Sequence, residues 1–322
     1  MVEQVSRHAQ LRDRLLLGLV YAMFFMVVFV LSAYWTFPYD RARSFVASAL
    51  SAKEAGGLTR TVEIGELEPA GFGGVRIADL SITQIAATQD ATPMQIKLSE
   101  ATAKLAIFPL LFGTKKVELN ALAGAGTLDA KYDDGSDTQH IEAELDALDV
   151  AELGLGSFIG LPLKGKASGT VELNLPTDVT KATGTIKLEI RGLKVGDGKA
   201  KIKPPGMPGG LTLDEVEAGK LELSLEVRDG IAKLTRLSTD GKDLKLSGTG
   251  NVRLADPIKR SRPDINLELT FSDAYKNKSD RTKAMFELLQ LRPEWQRATT
   301  PDGTMHVHVG GTFLAIRGGP GR

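Results

Sequence analysis

The chain has 322 residues, of which 42% are hydrophobic and 25% charged, enough apolar material for one large domain or two ordinary ones and too much for a disordered chain. Forty Lys and Arg balance forty Asp and Glu, so no basic field exists to hold nucleic acid by counterion release. With no cysteine, disulfides, thiolate zinc sites, iron–sulfur clusters and cysteine nucleophiles are excluded.

From Leu15 to Trp35 the run LLLGLVYAMFFMVVFVLSAYW carries no charge over 21 residues. At ~1.5 Å rise per residue a helix of that length reaches roughly 31 Å, the hydrocarbon thickness of a bilayer. A cleaved signal peptide would have a shorter apolar region and a small-x-small cleavage site, whereas this stretch ends in the interfacial aromatics Tyr34, Trp35, Phe37 and Tyr39. The segment 15–35 therefore reads as a retained transmembrane helix, with Leu15, Phe24, Val27 and Trp35 along its length. Arg7, Arg12 and Arg14 precede it and Arg41 and Arg43 follow it, a slight positive-inside bias that puts the head, residues 1–14, in the cytoplasm and the rest outside.

Residues 36–57 read as a short juxtamembrane helix, with Asp40 as N-cap, Phe45, Val46, Ala49 and Leu50 on one face, and Gly56 and Gly57 as the stop. Residues 58–322 form the expected β-domain, because from Thr61 the apolar period becomes two. In AGKLELSLEV, Leu221, Leu223 and Leu225 fall on one side of a strand and Glu222, Ser224 and Glu226 on the other. Ile265, Leu267 and Leu269 alternate with Glu268 in the same way, as do Val171, Leu173 and Leu175 and then Ile186, Leu188 and Ile190. Weaker copies lie at Ile96 and Leu98, Val117 and Leu119, and Val307 and Val309. Such alternation marks antiparallel sheet with one wet face, so the expected class is all-β. GTVELNL from Gly169 and GTIKLEI from Gly184 repeat one pattern, and GTGNVRL from Gly248 and GTMHVHV from Gly303 are further Gly-led copies, which makes the sheet quasi-repeating. The Gly- and Pro-rich stretch 195–210 is a soft boundary or long loop. One helix is expected in SDRTKAMFELLQLRPEW, with Met285, Leu288 and Leu289 on one face and Pro293 closing it, plugging an end of the sheet.

Candidate chemistry is sparse. His306 and His308 sit two apart in a strand and point to one face, but lack a third ligand. The DDGSD cluster from Asp133 to Asp137 lacks the ligand spacing of a calcium loop and reads as a hairpin turn. GAGTLD from Gly124 has Asp129 where a dinucleotide loop needs its third Gly, and Ser157 in GLGSFIG misses the nucleophile-elbow spacing at Leu155. Catalytic, cofactor and metal residues are therefore expected to be absent, and the chain is not expected to be an enzyme.

VEIGELEPAGFGGVRIADLSI, DGIAKLTRLSTDGKDLKLSGTGNVRLADP, LTFSDAYKNKSDRTKAMFELLQL and DGTMHVHVGGTFLAIRGGP, set behind an N-terminal anchor, resemble the bacterial AsmA-like proteins. Within them the chain is similar to the type II secretion system protein N (GspN) family of deltaproteobacterial type, over residues 15–320. The resemblance implies a single-pass inner-membrane protein whose periplasmic β-domain is a curved sheet forming a groove. It implies a non-enzymatic component of the type II secretion machinery, with other secretion components as partners. The alternative is a lipid-binding or lipid-transfer protein that uses the apolar face bearing Leu221, Leu223, Leu225, Ile265, Leu267 and Leu269 as a groove for phospholipid.

Overall fold

The computed structural model describes residues 39–53, 59–71, 73–85, 94–135, 137–156, 161–202, 211–212, 214–313 and 315–321, together with Tyr21, Phe24, Phe25, Val28 and Ser32. Two compact units divide the chain between Phe45 and Val46. In the first, Tyr21, Phe24, Phe25, Val28 and Ser32 are helical and exposed, with the Phe24 and Phe25 rings edge to face. The head 1–14 and most of the expected span, including Leu15, Val27 and Trp35, lie outside the described residues. Among the described residues no helix is long and apolar enough to cross a membrane.

Helix α1 (Tyr39–Leu50) occupies less of the juxtamembrane segment than the sequence suggests. Asp40 lies inside its first turn, Phe45 is exposed, and Val46 and Ala47 are the residues that pack against Val62, Ile64 and Leu80. The chain is already extended at β1 (Ala52–Lys53), which pairs with Thr59 and Arg60, while Gly56 and Gly57 lie outside the described residues.

From β1 onward the chain builds one open antiparallel sheet. Its first half comprises β2 (Thr59–Pro69), β3 (Gly74–Ile85), β4 (Met94–Leu105), the single-turn helix α2 (Ile107–Leu111), β5 (Lys115–Ala123), β6 (Gly126–Asp134) and β7 (Thr138–Asp149). Then come β8 (Leu163–Pro176), β9 (Thr183–Val195), a two-stranded ribbon of β10 (Lys201–Ile202) and β11 (Leu211–Thr212), and β12 (Val216–Arg228). The last part runs β13 (Ile231–Thr239), β14 (Leu244–Arg253), β15 (Arg262–Phe271), α3 (Asp273–Lys276), α4 (Asp280–Gln290), α5 (Pro293–Ala298), β16 (Met305–Thr312) and β17 (Ala315–Pro320). Fifteen strands join in simple sequence order, the two-residue β1 included, except that β9 pairs directly with β12. Within the stretch 195–210, Val195 ends β9 and Lys201–Ile202 form β10, while 203–210 lie outside the described residues; the sheet itself continues from β9 to β12.

Consecutive strands pair because each carries its own period-two pattern and needs only a neighbour to complete the ladder, while β9–β12 and β15–β16 close theirs over the β10–β11 ribbon and over α3–α5. The GTVELNL and GTIKLEI repeats form the β8–β9 hairpin, each placing its Gly opposite a Leu of the other: Gly169 faces Leu188 and Gly184 faces Leu173. At one end of the central strands this pattern slips. Ala147, Gly192 and Gly219 have left-handed φ values of 48°, 63° and 72° beside irregular register, so apolar residues there recur at three-residue steps, Leu145 to Leu148, Ile190 to Leu193 and Ala218 to Leu221. The extra residue bends each strand, as bulges do.

Beyond that bend the strand ends meet the helices. Val150, Ala167, Ile190, Leu193, Val216, Ala218 and Leu244 form one buried cluster with Tyr275, Met285 and Phe286. Helix α4 starts at Ser279, whose hydroxyl accepts the Thr282 N–H, and it does plug an end of the sheet. Its inward face is Met285, Phe286 and Leu289, whereas Leu288 is exposed. Pro293 does not close this helix, which ends at Gln290, but opens α5 at its first turn, where its fixed φ suits a helix start.

Candidate functional site

Residues opposite one another in an antiparallel ladder share a face, so the register gives the composition of each side. One row crosses eleven strands as Ala103, Leu119, Ala130, Ala143, Val171, Ile186, Leu225, Leu234, Gly250, Ile265 and Val309. Next to it run Leu128, Leu145, Gly169, Leu188, Leu223 and Leu237, and beyond β13 Leu267 and Val307. The structure therefore brings Leu221, Leu223, Leu225, Ile265, Leu267 and Leu269 to one face, all half-buried.

Leu221 and Leu269 pack against the helix-capped cluster, and Ile265 packs against a small cluster of Ala182, Val227, Ala232 and Val252 at the other strand ends. Between them Leu223, Leu225 and Leu267 belong to neither cluster and stay half-exposed. The aliphatic face is thus sealed at its ends and open along its middle.

The opposite face is charged across the same strands: Glu118, Lys131, Glu142, Glu172, Thr185, Glu226 and Lys233 form one ladder. Glu222 bridges Lys220 at 2.7 Å and Arg236 at 2.5 Å, and Lys220 also reaches Glu189 at 3.0 Å. Such pairs lie at the surface and contribute little individually. Glu222, Glu226 and Glu268 reach water with side chains 26%, 40% and 56% exposed.

The cap is tied down by Asp214. Its carboxylate accepts hydrogen bonds from the Ser279 hydroxyl and, at 2.6 Å, from Thr282 Oγ1, with Arg281 at 3.7 Å. Its carbonyl accepts the Tyr275 hydroxyl at 2.8 Å, and burial pushes that hydroxyl's pKa well above the tyrosine norm. The Tyr275 ring stacks on Phe271 at 5.6 Å and meets Phe286 edge-on. Sequence reasoning missed Asp214 and Phe286: Asp214 lies 65 residues from Ser279, and no local pattern links them.

The Ser279 and Thr282 hydroxyls hold the Asp214 carboxyl below its ordinary value. A lowered folded value means stabilisation that is complete above the unfolded pKa of about 3.9 and lost as pH falls through the folded one. Asp214→Ala is expected to cost about 1.5–3 kcal/mol at neutral pH, with the gap to wild type closing as pH falls below about 4; urea titrations at both pH values check this.

His306 lies 4.0 Å from Glu268, and His308 bonds Asn266 at 3.1 Å and lies 3.8 Å from Asp264, so each imidazole faces its own cross-strand neighbours. The third described histidine, His140, bonds Glu142 and Asn174, which raises its pKa. Among the described residues no group of three or more His, Asp or Glu could hold a metal ion. Asp133 and Asp134 end β6, paired with His140 and Gln139 of β7 across the hairpin, and Gly124 is in the turn joining β5 to β6; Ser136 and Ser157 lie outside the described residues. The chain matches no family model, no curated protein and no solved structure.

Proposed function

We propose that the protein is a non-enzymatic, membrane-anchored component of the bacterial envelope, associated with type II secretion, whose working surface is the apolar face of its sheet and whose ligand is the acyl chain of a lipid. The fold reading that goes with this is the AsmA-like groove, a curved sheet with its apolar side inward. One observation carries the lipid part: Leu223, Leu225 and Leu267 stand in aliphatic rows that cross the sheet yet remain half-exposed, outside the buried clusters at the strand ends. A row of aliphatic side chains left partly accessible on a folded sheet marks a contact site. An acyl chain suits it because Leu223, Leu225, Leu267 and their row neighbours present methyl groups along the strands. The anchor rests on the uncharged run from Leu15 to Trp35, and the secretion role on the resemblance of the segments around Val62, Asp229 and Leu269.

A secretion scaffold without bound lipid is the second reading, favoured by the sequence-ordered antiparallel ladder, which extends one sheet over fifteen strands. The two separate on ligand. A photoreactive residue placed at 223 or 267 in the full chain in living cells is expected to form phospholipid adducts, while the same residue at 222 or 268 on the charged face is not. Absence of lipid adducts from every inward position would remove the lipid function and leave the scaffold.

A further inference from the structure

The tip between β4 and β5 is built against the usual rule for turns. Its sequence AIFPLLFG, Ala106–Gly113, is almost wholly apolar, yet Phe108 is 78% and Phe112 86% exposed, and Leu110 is exposed beside them. Phe108 and Phe112 stand four residues apart on the single turn of α2 and its C-cap, so both rings project from one side, and exposed Leu110, two residues from each, projects from the other, which makes the tip apolar on both sides. This is no loose loop: Phe112 N–H donates to Pro109 O at 3.0 Å, Thr114 N–H donates to the same oxygen at 3.0 Å, and Ala106 N–H donates to Lys116 O at 2.9 Å.

The register puts this tip at the strand ends away from the helical cap. Lys104 and Gly74 pair there, as do Lys115 and Asp134, and Arg228 and Ile231. At the same end the exposed side chains Ile231, Ile258 and Phe313 sit in or beside the turns β12–β13, β14–β15 and β16–β17. From the β4–β5 tip to the last of these turns lie ten strand spacings, roughly 50 Å at ~4.8 Å each. Three lysines stand at the base of the tip: Lys104, which is exposed, Lys115, 3.5 Å from Asp134, and Lys116, 2.5 Å from Asp133.

We propose that this end of the sheet docks on a lipid bilayer, with Phe108, Leu110 and Phe112 entering the boundary between headgroups and acyl chains. Three features favour a bilayer. The apolar side chains are spread along a rim rather than gathered in one pocket, as a continuous surface can use and a single small partner cannot. They are convex tips that insert, not a cleft that receives. Exposed Lys104, Lys115 and Lys116 at the base of the tip offer ammonium groups to lipid phosphates, as basic residues flanking an interfacial apolar anchor do. The site is distinct from the open aliphatic face and stands whether or not that face holds lipid.

The chain has no cysteine, so one can be introduced at Leu110→Cys and labelled with an environment-sensitive fluorophore, with Lys181→Cys at the same end as reference. The full chain is reconstituted in vesicles of phosphatidylethanolamine and phosphatidylglycerol in which every bilayer carries a spin-labelled phosphatidylcholine. The probe at 110 is expected to be quenched at least about three-fold more than the probe at 181, as insertion requires. Adding Phe108→Ser and Phe112→Ser should bring the two to the same level with an unchanged circular dichroism spectrum, since exposed positions leave stability nearly intact. Equal, weak quenching at 110 and 181 in the parent chain overturns the proposal. So does an emission shift at 110 that tracks protein concentration without quenching, which would make the occupant a second copy of this chain.

Discussion

Val216→Asp should leave almost no folded protein, whereas Leu223→Asp, seven residues along the same strand, should fold. Val216 is 1% exposed among Leu193, Ala218, Tyr275 and Phe286. A carboxylate there has no cation within the cluster, and an unpaired buried charge costs several kcal/mol, on the order of 3–5. Losing the buried Val side chain adds about 1.5–3 kcal/mol, and the sum, roughly 4.5–8, reaches the whole stability of a domain at the low end of the usual 5–15 kcal/mol. Leu223 lies between Leu188 and Leu237 on the open part of the same sheet and is half-exposed, so an Asp there keeps its water. Lost aliphatic contact and poorer strand propensity should cost about 1–2 kcal/mol. Denaturant midpoints of the two variants decide the matter. If Leu223→Asp collapses like Val216→Asp, the middle of the face is covered and cannot receive a ligand.

The strands were legible because a half-wet sheet writes its own period into the chain: Leu221, Leu223 and Leu225 against Glu222 and Glu226 leave one register for the face. The bends were not. Where Ala147, Gly192 and Gly219 insert an extra residue, the apolar step becomes three, and a period-two reading ends or slips. Helix α4 was found from its pattern but rotated by one position, since Phe286 turns inward to meet Phe271 and Tyr275, which sequence distance conceals. The Gly- and Pro-rich stretch after Val195 reads as either a soft boundary or a long loop because composition does not report what pairs across it; Val195 and Val216 are partners in the sheet. The exposed rings of Phe108 and Phe112 have no signature of their own, because an apolar tip and a buried turn read alike until the neighbours are placed.

Gly219→Val should cost more than about 3 kcal/mol, through two effects that a second substitution separates. The first is conformational: φ is +72°, where a β-branched side chain is strained by about 1–3 kcal/mol. The second is spatial. A Cβ at 219 would stand 2.7 Å from Asp240 Oδ1 and 2.8 Å from Gly241 N, and Asp240 cannot swing away without releasing the Lys220 N–H it accepts at 2.7 Å. Gly113 supplies the comparison, with φ of +80° and nothing within 4 Å of its would-be Cβ. Gly113→Val should therefore show the conformational cost alone, about 1–3 kcal/mol, and Gly219→Val that cost plus the close approach. The extra loss should appear together with weakened packing around Tyr275, because Gly219 is where β12 bends from the open face toward the cap and its neighbour Ala218 is fully buried there. Near-ultraviolet circular dichroism of the stacked Phe271 and Tyr275 rings reports the cap while denaturation reports the whole. Equal losses from the two substitutions would mean that the bend at Gly219 is set by backbone preference alone, and that the approach of Asp240 and Gly241 can relax without disturbing the cap.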